Sequence, residues 1–227
     1  MERYGTKYGG WSLPKQNTIN ENSIVYSGGV GEDMSFDLNI NDKYGCNIIL
    51  IDPTHKAIKH YQEVKNYYNT SNFSFTGNIQ KDYINNIKNL QIDFNKFHFL
   101  DKGLHSSKGV MKFYKQVNPN CVSQSLISNM FGNEYYNVEV DTIANIMSMY
   151  NHKHIDLLKL DIEGSEVEVL NKMLDDEIYP TYLCIEFDLK LKNKDNNNST
   201  EKLIERLKSN NYKILLNEKM NITFEKK

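Results

Sequence analysis

The segment 24–52 constrains the fold of this chain more than any other. Its apolar run 24–26 stops at a glycine-rich turn, 27–31, and a helical pattern follows. A second apolar run, 48–51, then ends at Asp52. This order predicts a strand, a turn, a helix and a second strand, which is the opening unit of a doubly wound α/β sheet.

The residues at the two strand ends indicate a ligand. Glycine has no Cβ, so a turn rich in glycine lets a ligand lie against the backbone. An acid at the end of the second strand is placed to accept hydrogen bonds from ribose hydroxyls. The segment therefore predicts an adenosine-containing cofactor, with Asp52 at its ribose. The alternative is a glycine-rich turn without a ligand, whose acids complement a helix dipole.

Two details of the turn distinguish between cofactors. The dinucleotide fingerprint G-x-G-x-x-G is incomplete, because Met34 stands at its third glycine position. Glu32 and Asp33 open the predicted helix, where a pyrophosphate would sit. Carboxylates repel a pyrophosphate but suit the ammonium and sulfonium groups of S-adenosylmethionine. S-Adenosylmethionine is therefore favoured over NAD.

The length and net charge of the chain limit its domain organisation and its partners. The 227 residues suit an N-terminal arm, 1–23, followed by one α/β domain, 24–227. The net charge of -2 does not favour nucleic acid or an anionic membrane as a partner. No run has the length of a membrane span, and the start is unlike a signal peptide. The three cysteines, Cys46, Cys121 and Cys184, are far apart and odd in number, which suits a reducing compartment and predicts neither a disulfide framework nor a zinc site. We therefore expect a cytoplasmic protein.

Two further segments are candidates for ligand contacts. The arm contains the sequence Tyr8-Gly9-Gly10-Trp11, whose single tryptophan either folds over the cofactor or packs as part of a terminal arm. A third strand, 97–100, is followed by Asp101 to Leu104, which either border the adenine or form a plain turn. An insertion between main strands, at 122–125, is a usual place for substrate contacts.

The stretch 155–165 is the second informative one. A buried parallel strand should be almost wholly apolar, yet Lys159 and Asp161 interrupt this one near its carboxyl end. With period 2 they point the same way, toward the cleft. The next strand, 182–185, also ends in acids, Glu186 and Asp188. Unpaired charge at the ends of buried strands is unfavourable because it loses solvation, so it is expected mainly where it has a function. This favours a functional cluster over a solvated acidic rim. Ser165 and Glu168 have the spacing of a helix capping box.

Two long motifs, with two shorter ones, resemble the FkbM family of S-adenosylmethionine-dependent methyltransferases. They are VYSGGVGEDMSFDL with LIDPT, and LLKLDIEGSEVEVL with CIEFD; YGGW and VSQS resemble the same branch. The resemblance runs from about Tyr8 to Asp188. It implies a Rossmann-like class I methyltransferase fold, with helices on both faces of a mostly parallel sheet and an antiparallel C-terminal strand. It also implies O-methylation, often of sugar or secondary-metabolite hydroxyls.

The resemblance and the residue patterns together give a set of candidate site residues. The candidates are, for the cofactor, Ser27, Gly28, Gly29, Gly31, Asp52, Pro53, Asp101, Leu104 and Trp11; for the substrate, Ser123, Gln124 and Glu163; and for catalysis, Asp161, Lys159, Glu186 and Asp188. The chain departs from the branch at three positions, with His55 after Thr54, Gln124 in place of a histidine, and Asp188 in place of a histidine.

We therefore expect an S-adenosylmethionine-dependent O-methyltransferase acting on a carbohydrate, glycan or polyol hydroxyl, with a glycosyltransferase as a candidate partner. Asp161 acts as general base, or Asp161, Glu186 and Asp188 hold Mg²⁺ or Mn²⁺ that polarises the hydroxyl. Two alternatives stay open. One is a binding or scaffold module that keeps the fold with weak catalysis, and the other is an NAD-dependent oxidoreductase.

Overall fold

The computed structural model describes residues 1–71, 74–118, 123–128, 130–195, 197–219 and 221–227; Cys121 and Val122 lie outside them. The strands are β1 (Glu2–Tyr4), β2 (Trp11–Leu13), β3 (Ile24–Gly28), β4 (Asn47–Ile51), β5 (Phe97–Leu100), β6 (Gly103–Leu104), β7 (Gly109–Tyr114), β8 (Tyr135–Asp141), β9 (Leu157–Leu160), β10 (Tyr182–Glu186), β11 (Tyr212–Glu218) and β12 (Asn221–Lys226). The helices are α1 (Ser35–Tyr44), α2 (His55–Thr70), α3 (Tyr83–Ile87), α4 (Ile143–Met149), α5 (Glu166–Asp175), α6 (Asp188–Leu191) and α7 (Ser199–Ser209), with a 3₁₀ turn at Phe94–Lys96.

The main sheet has seven strands in the order β11-β12-β10-β9-β3-β4-β5. The pairs from β10 to β5 are parallel, whereas β12 is antiparallel to both β10 and β11. The chain leaves β3 toward β4 on one side and later returns to β9 on the other. This reversal of strand order creates a crevice at the carboxyl ends of β3 and β9. The predicted fold class, with its antiparallel C-terminal strand, is confirmed.

Successive apolar side chains of the central strands point to opposite faces, so the sheet has an apolar core on each face. In β4, Ile48 and Leu50 join one apolar cluster, whereas Ile49 and Ile51 join the other. The first cluster includes residues of α1, α2 and α3, and the second includes residues of α4, α5 and α7. Successive side chains of a strand point to opposite faces, so a strand covered on both sides must be apolar throughout. Among the described residues, no helix has the length and apolar character needed to cross a bilayer.

The insertion after β5 forms a second, smaller sheet. Its strands lie in the order β6-β8-β7, and β7 pairs with β8 as an antiparallel hairpin. An isolated bridge joins Tyr114 of β7 to Ser125, which brings the 123–125 segment back against the hairpin. The insertion therefore makes a wall beside the carboxyl end of the main sheet.

Four details differ from the expectations. The arm contains the antiparallel pair β1–β2, and Trp11 is only 5% exposed within the first apolar cluster. Helix α1 begins at Ser35, so Glu32 and Asp33 lie in the turn before it. The sequence pattern of 79–90 is that of a helix, but only its middle forms one, as α3, and α4 has no counterpart among the predicted elements. The arm is thus built into the core, because its apolar side chains find partners there.

Candidate active site

A cavity of about 440 Å³ opens at the carboxyl ends of β3, β4, β9 and β10. It is bounded by the turn after β3, the ends of the neighbouring strands, the N-terminal arm, the 123–126 segment and the end of α6. Seven of its lining residues are acids and three are lysines: Glu32, Asp33, Asp52, Asp161, Glu163, Glu186, Asp188, Lys7, Lys159 and Lys192. The acid majority makes it better suited to neutral or cationic groups than to anions.

The glycines of the turn after β3 have different roles. Gly29 has φ +76°, and a Cβ there would lie 1.6 Å from the carbonyl oxygen of Asp161. The turn is therefore packed directly against the backbone that follows β9. Gly31 has φ +57°, but a Cβ there would meet nothing within 4 Å. Gly29 is required by packing, whereas Gly31 leaves open space beside the cavity.

Asp52 holds this turn in place. Its Oδ2 accepts hydrogen bonds from the backbone N–H groups of Val30 and Gly31, at 2.8 and 2.9 Å. Its Oδ1 accepts one from Thr54, at 2.8 Å. The side chain is buried, yet Asp52 still lines the cavity. Each carboxylate oxygen can accept more than one hydrogen bond, so Asp52 can organise the turn and still receive a ribose hydroxyl.

Lys159 joins the same turn to Asp161, on the opposite side of the cavity from Asp52 along the strand order. Its ammonium group donates to the carbonyl oxygen of Gly29 and lies 3.9 Å from Oδ2 of Asp161. Beneath it lies Asp37 of α1, whose burial raises the carboxyl pKa to about 6 despite the nearby charge of Lys159. The lysine is itself buried, which makes its attraction to Asp161 stronger than that of a surface pair.

Asp161, Glu186 and Asp188 form a carboxyl cluster. Each offers an oxygen, and these oxygens all lie within 4.8 Å of one another. Burial, reinforced by the charges of Asp161 and Asp188, raises the pKa of Glu186 to about 9. Burial and the charge of Glu163 raise the pKa of Asp188 to about 7, against the opposing effect of Lys192. At neutral pH Glu186 is therefore protonated and donates a hydrogen bond to Asp161.

Lys192 partly neutralises the far side of this cluster. Its ammonium group contacts Asp188 and also lies 2.5 Å from Oε2 of Glu163. The two carboxylates raise the pKa of Lys192 although burial opposes them. Asp188 and Lys192 are four residues apart, which puts them on one side of a helical turn. This lysine therefore fixes two carboxylates that would otherwise repel each other.

The turn between β9 and α5 is shaped by Glu166 rather than by the expected capping box. Ser165 makes no side-chain cap, and Glu168 instead contacts Ser106 and His105. Oε1 of the fully buried Glu166 accepts from the backbone N–H groups of Ile162 and Gly164, both at 3.0 Å. Burial and the charge of Asp188 raise the pKa of Glu166 well above its usual range. Glu166 thus fixes the backbone on both sides of Glu163.

The N-terminal arm forms another wall of the cavity. Thr6 donates a hydrogen bond from Oγ1 to Oδ2 of Asp33, at 2.6 Å, and its N–H donates to Ser35 Oγ at 2.8 Å. Glycine is required at Gly9, where a Cβ would lie 2.8 Å from the carboxyl carbon of Asp33. These contacts bring Lys7, Tyr8 and Gly9 to the cavity.

The structure brings together most of the residues expected from the sequence. Those that line the cavity are Gly29, Gly31, Asp52, Pro53, Leu104, Ser123, Gln124, Lys159, Asp161, Glu163, Glu186 and Asp188. Ser27 and Gly28 are buried in β3 beneath it, and Asp101 is exposed outside it. Trp11 does not line the cavity either, because its ring packs into the core; Tyr8 is the aromatic residue that the arm presents.

The sequence reasoning missed five residues that shape the site: Lys7, Tyr8, Asp37, Glu166 and Lys192. Two of them left a signal. Lys192 follows Asp188 at the helical i, i+4 spacing, and Asp37 is an acid among the apolar positions of α1. The role of Glu166 had no such signal, because its acceptance of two backbone N–H groups depends on the positive φ of Glu163 and Gly164.

Comparison with known proteins identifies the class of protein. The family model described as the methyltransferase FkbM domain matches residues 29–214. The chain therefore belongs to the FkbM methyltransferase family, as its motifs indicated. A solved rRNA methylase from Streptococcus thermophilus is similar over 92% of this chain and 89% of its own, at 11% identity and a TM-score of 0.43. No curated protein matches the chain.

Proposed function

We propose that this protein transfers a methyl group from S-adenosylmethionine to a hydroxyl of a carbohydrate, glycan or related polyol. The observation that carries the proposal is that one cavity is lined both by the glycine turn with Asp52 and by the carboxyl cluster around Asp161. A cofactor site and a set of proton acceptors are thus adjacent, as a transfer between two bound molecules requires.

The turn after β3 fits an adenosine cofactor with a cationic group. Gly31 leaves space for a ligand beside the backbone, and Asp52 lies at the end of the neighbouring strand with spare acceptor capacity. Glu32 and Asp33 add negative charge on the same side of the cavity, which favours a sulfonium and an ammonium over a pyrophosphate. When bound, S-adenosylmethionine would supply a methyl group activated by its sulfonium.

The carboxyl cluster would manage the proton of the acceptor. A hydroxyl becomes a good nucleophile only as it loses its proton, so a base must lie within hydrogen-bond reach. Asp161 lines the cavity and keeps 33% of its side chain accessible, and we assign it as that base. The ammonium group of Lys159 lies 3.9 Å from Oδ2 of Asp161, and the protonated Glu186 holds the Asp161 carboxylate in position.

A divalent cation is the second way to activate the hydroxyl. Among the described residues, Asp161, Glu186 and Asp188 form the one acidic group whose geometry suits a metal ion. All-oxygen ligands suit Mg²⁺ or Mn²⁺. In addition, Oδ2 of Asp188 is buried without a hydrogen-bond partner in the described parts of the chain. A cation bound there would displace the proton of Glu186, so binding would release protons.

The acid-rich cavity supports a neutral acceptor. Phosphates of a nucleic acid would meet seven carboxyls against three lysines. Sugar hydroxyls carry no charge and can both donate and accept hydrogen bonds. We therefore expect no nucleic-acid substrate, and we keep a glycosyltransferase as a candidate partner that would supply the sugar.

The test is methyl transfer from labelled S-adenosylmethionine to methyl glycosides of common hexoses and 6-deoxyhexoses. Asp161→Asn should reduce the rate by at least about a hundredfold, the usual scale for a positioned base. Asp175→Asn is the control, because this carboxyl lies on α5 outside the cavity and 61% of its side chain is exposed. Loss of activity in EDTA that Mg²⁺ or Mn²⁺ restores would favour activation of the hydroxyl by a metal ion over activation by a carboxylate base alone. Full activity of Asp161→Asn would exclude both kinds of activation.

A further inference from the structure

We propose that Tyr8 is the acceptor-binding platform of this enzyme, an aromatic side chain on a fixed backbone against which a pyranose ring stacks. The inference rests on the proposed function and adds the residue that recognises the sugar. It goes beyond the cofactor turn and the carboxyl cluster, neither of which offers a flat apolar surface.

The first observation is an exposed ring on an immobilised backbone. The side chain of Tyr8 is 61% exposed, more than is usual for a large aromatic residue at a structural position. Its backbone N–H donates to Thr6 Oγ1 at 3.2 Å, and that of Gly9 donates to the same oxygen at 2.9 Å. The backbone N–H of Gly10 donates to the carbonyl oxygen of Thr6 at 3.1 Å. The ring is therefore held out from a tight turn.

The second observation is what anchors that turn. Thr6 is buried, and its hydroxyl donates to Asp33 while accepting from two N–H groups, which uses all of its hydrogen-bonding capacity. Asp33 lies just after the cofactor turn, and its other oxygen accepts from the N–H of Ser35 at 2.9 Å. The position of Tyr8 is thus set by the same loop that lines the proposed cofactor site.

The third observation is the direction in which the tyrosine reaches. Burial at its hydroxyl end, with the charges of Asp161, Glu163 and Glu186, raises the pKa of Tyr8 to about 12. The hydroxyl is therefore neutral and can donate a hydrogen bond, and Tyr8 lines the same cavity as these three acids. A molecule lying against the ring would have its hydroxyls beside Asp161, which is where an acceptor must be for its proton to be removed.

The chemistry of the platform favours a sugar over other polyols. A pyranose presents C–H groups on its faces and hydroxyls around its rim, so it can cover an aromatic ring and hydrogen-bond to polar neighbours at once. A tyrosine at a binding surface offers the same combination, with an apolar body and a polar tip. A rigid aromatic residue also gives contact area at a low cost in conformational entropy.

The experiment measures sugar binding without requiring turnover. Saturation-transfer NMR is recorded on methyl glycosides of hexoses and 6-deoxyhexoses with protein saturated with S-adenosylhomocysteine. Tyr8→Ala should weaken binding of the best glycoside about three- to tenfold, the scale of an aromatic contact. Tyr8→Phe keeps the aromatic ring and should retain most of the wild-type affinity for the glycoside. Tyr135→Ala is the control, because this tyrosine is 48% exposed on β8 and does not line the cavity.

The outcomes separate the platform from the proposed function. Glycoside binding that is equal in wild type and Tyr8→Ala would overturn the platform and leave the proposed function standing. An equal loss of affinity for S-adenosylhomocysteine, measured by calorimetry, would make Tyr8 a cofactor contact and would also overturn it. If wild-type protein binds no glycoside, the proposed acceptor class fails and the platform fails with it.

Discussion

Alanine substitutions at Gly29 and Gly31 should affect mainly different properties, although both residues lie in one turn. We expect loss of stability at Gly29 and loss of cofactor affinity at Gly31. At Gly29 the added Cβ would lie 1.6 Å from the carbonyl oxygen of Asp161, so the turn must move away from the end of β9. That movement would break the hydrogen bond from Gly29 N–H to the carbonyl oxygen of Ile51. Overpacking costs about 1–3 kcal/mol and the left-handed φ about 1–2 kcal/mol, so we expect Gly29→Ala to lose at least about 2 kcal/mol of stability.

At Gly31 the same substitution meets no steric obstacle in the protein. Its φ of +57° costs an alanine about 1–2 kcal/mol, which lowers Tm by roughly 2–8 °C in a chain of this length. The methyl group would instead take up space that we assign to the cofactor. We expect affinity for S-adenosylhomocysteine to fall by about tenfold or more, equivalent to about 1.4 kcal/mol.

Thermal unfolding and calorimetric titration measure the two effects separately. Gly45→Ala is a matched control, because Gly45 has a similar φ of +65°, an added Cβ there would come no closer than 3.8 Å to its nearest neighbour, and Gly45 lies outside the cavity. The reasoning is refuted if Gly29→Ala is as stable as wild type. It is equally refuted if Gly31→Ala binds S-adenosylhomocysteine as tightly as wild type does.

Two further predictions concern the acids of the cavity. The folded-state pKa of Glu186, about 9, lies above its usual value of 4.5, so its contribution to stability is present at low pH and is lost as pH rises toward 9. Urea unfolding at pH 5 and pH 9 should therefore show a smaller pH-dependent loss in Glu186→Gln than in wild type; an equal loss would contradict the assignment. Asp52→Ala removes the acceptor of three backbone N–H groups and should lower both stability and cofactor affinity, the latter about ten- to a hundredfold. Unfolding and calorimetry on the same variant check this, and unchanged affinity would remove Asp52 from the cofactor site.

The fold was predictable because its determining patterns are local. The apolar runs that became β3, β4, β9 and β10 are interrupted only at their carboxyl ends, so the acids at those ends had to meet at one edge of the sheet. The relation between Asp161, Glu186 and Asp188 followed from strand order alone.

The parts that were not predictable depend on contacts distant in sequence. Trp11 was expected at the cofactor, but its ring is buried where the arm packs beside α1, and nothing in the sequence of the arm fixes that docking. Ser165 and Glu168 have the spacing of a capping box, but the box does not form. Glu166 binds the backbone of this turn instead, because two residues before α5 have positive φ. Tyr8 could be noticed as an aromatic residue, but its place at the cavity depends on the hydrogen bond between Thr6 and Asp33.

The central claim is that the turn after β3 and Asp52 bind S-adenosylmethionine in the cavity that also holds the carboxyl cluster. The most direct measurement is isothermal calorimetry of the wild-type protein with S-adenosylmethionine, S-adenosylhomocysteine and NAD in separate titrations. The account predicts one site per chain for each of the first two ligands and no heat of binding for NAD. Binding of NAD, or of none of the three, would contradict it.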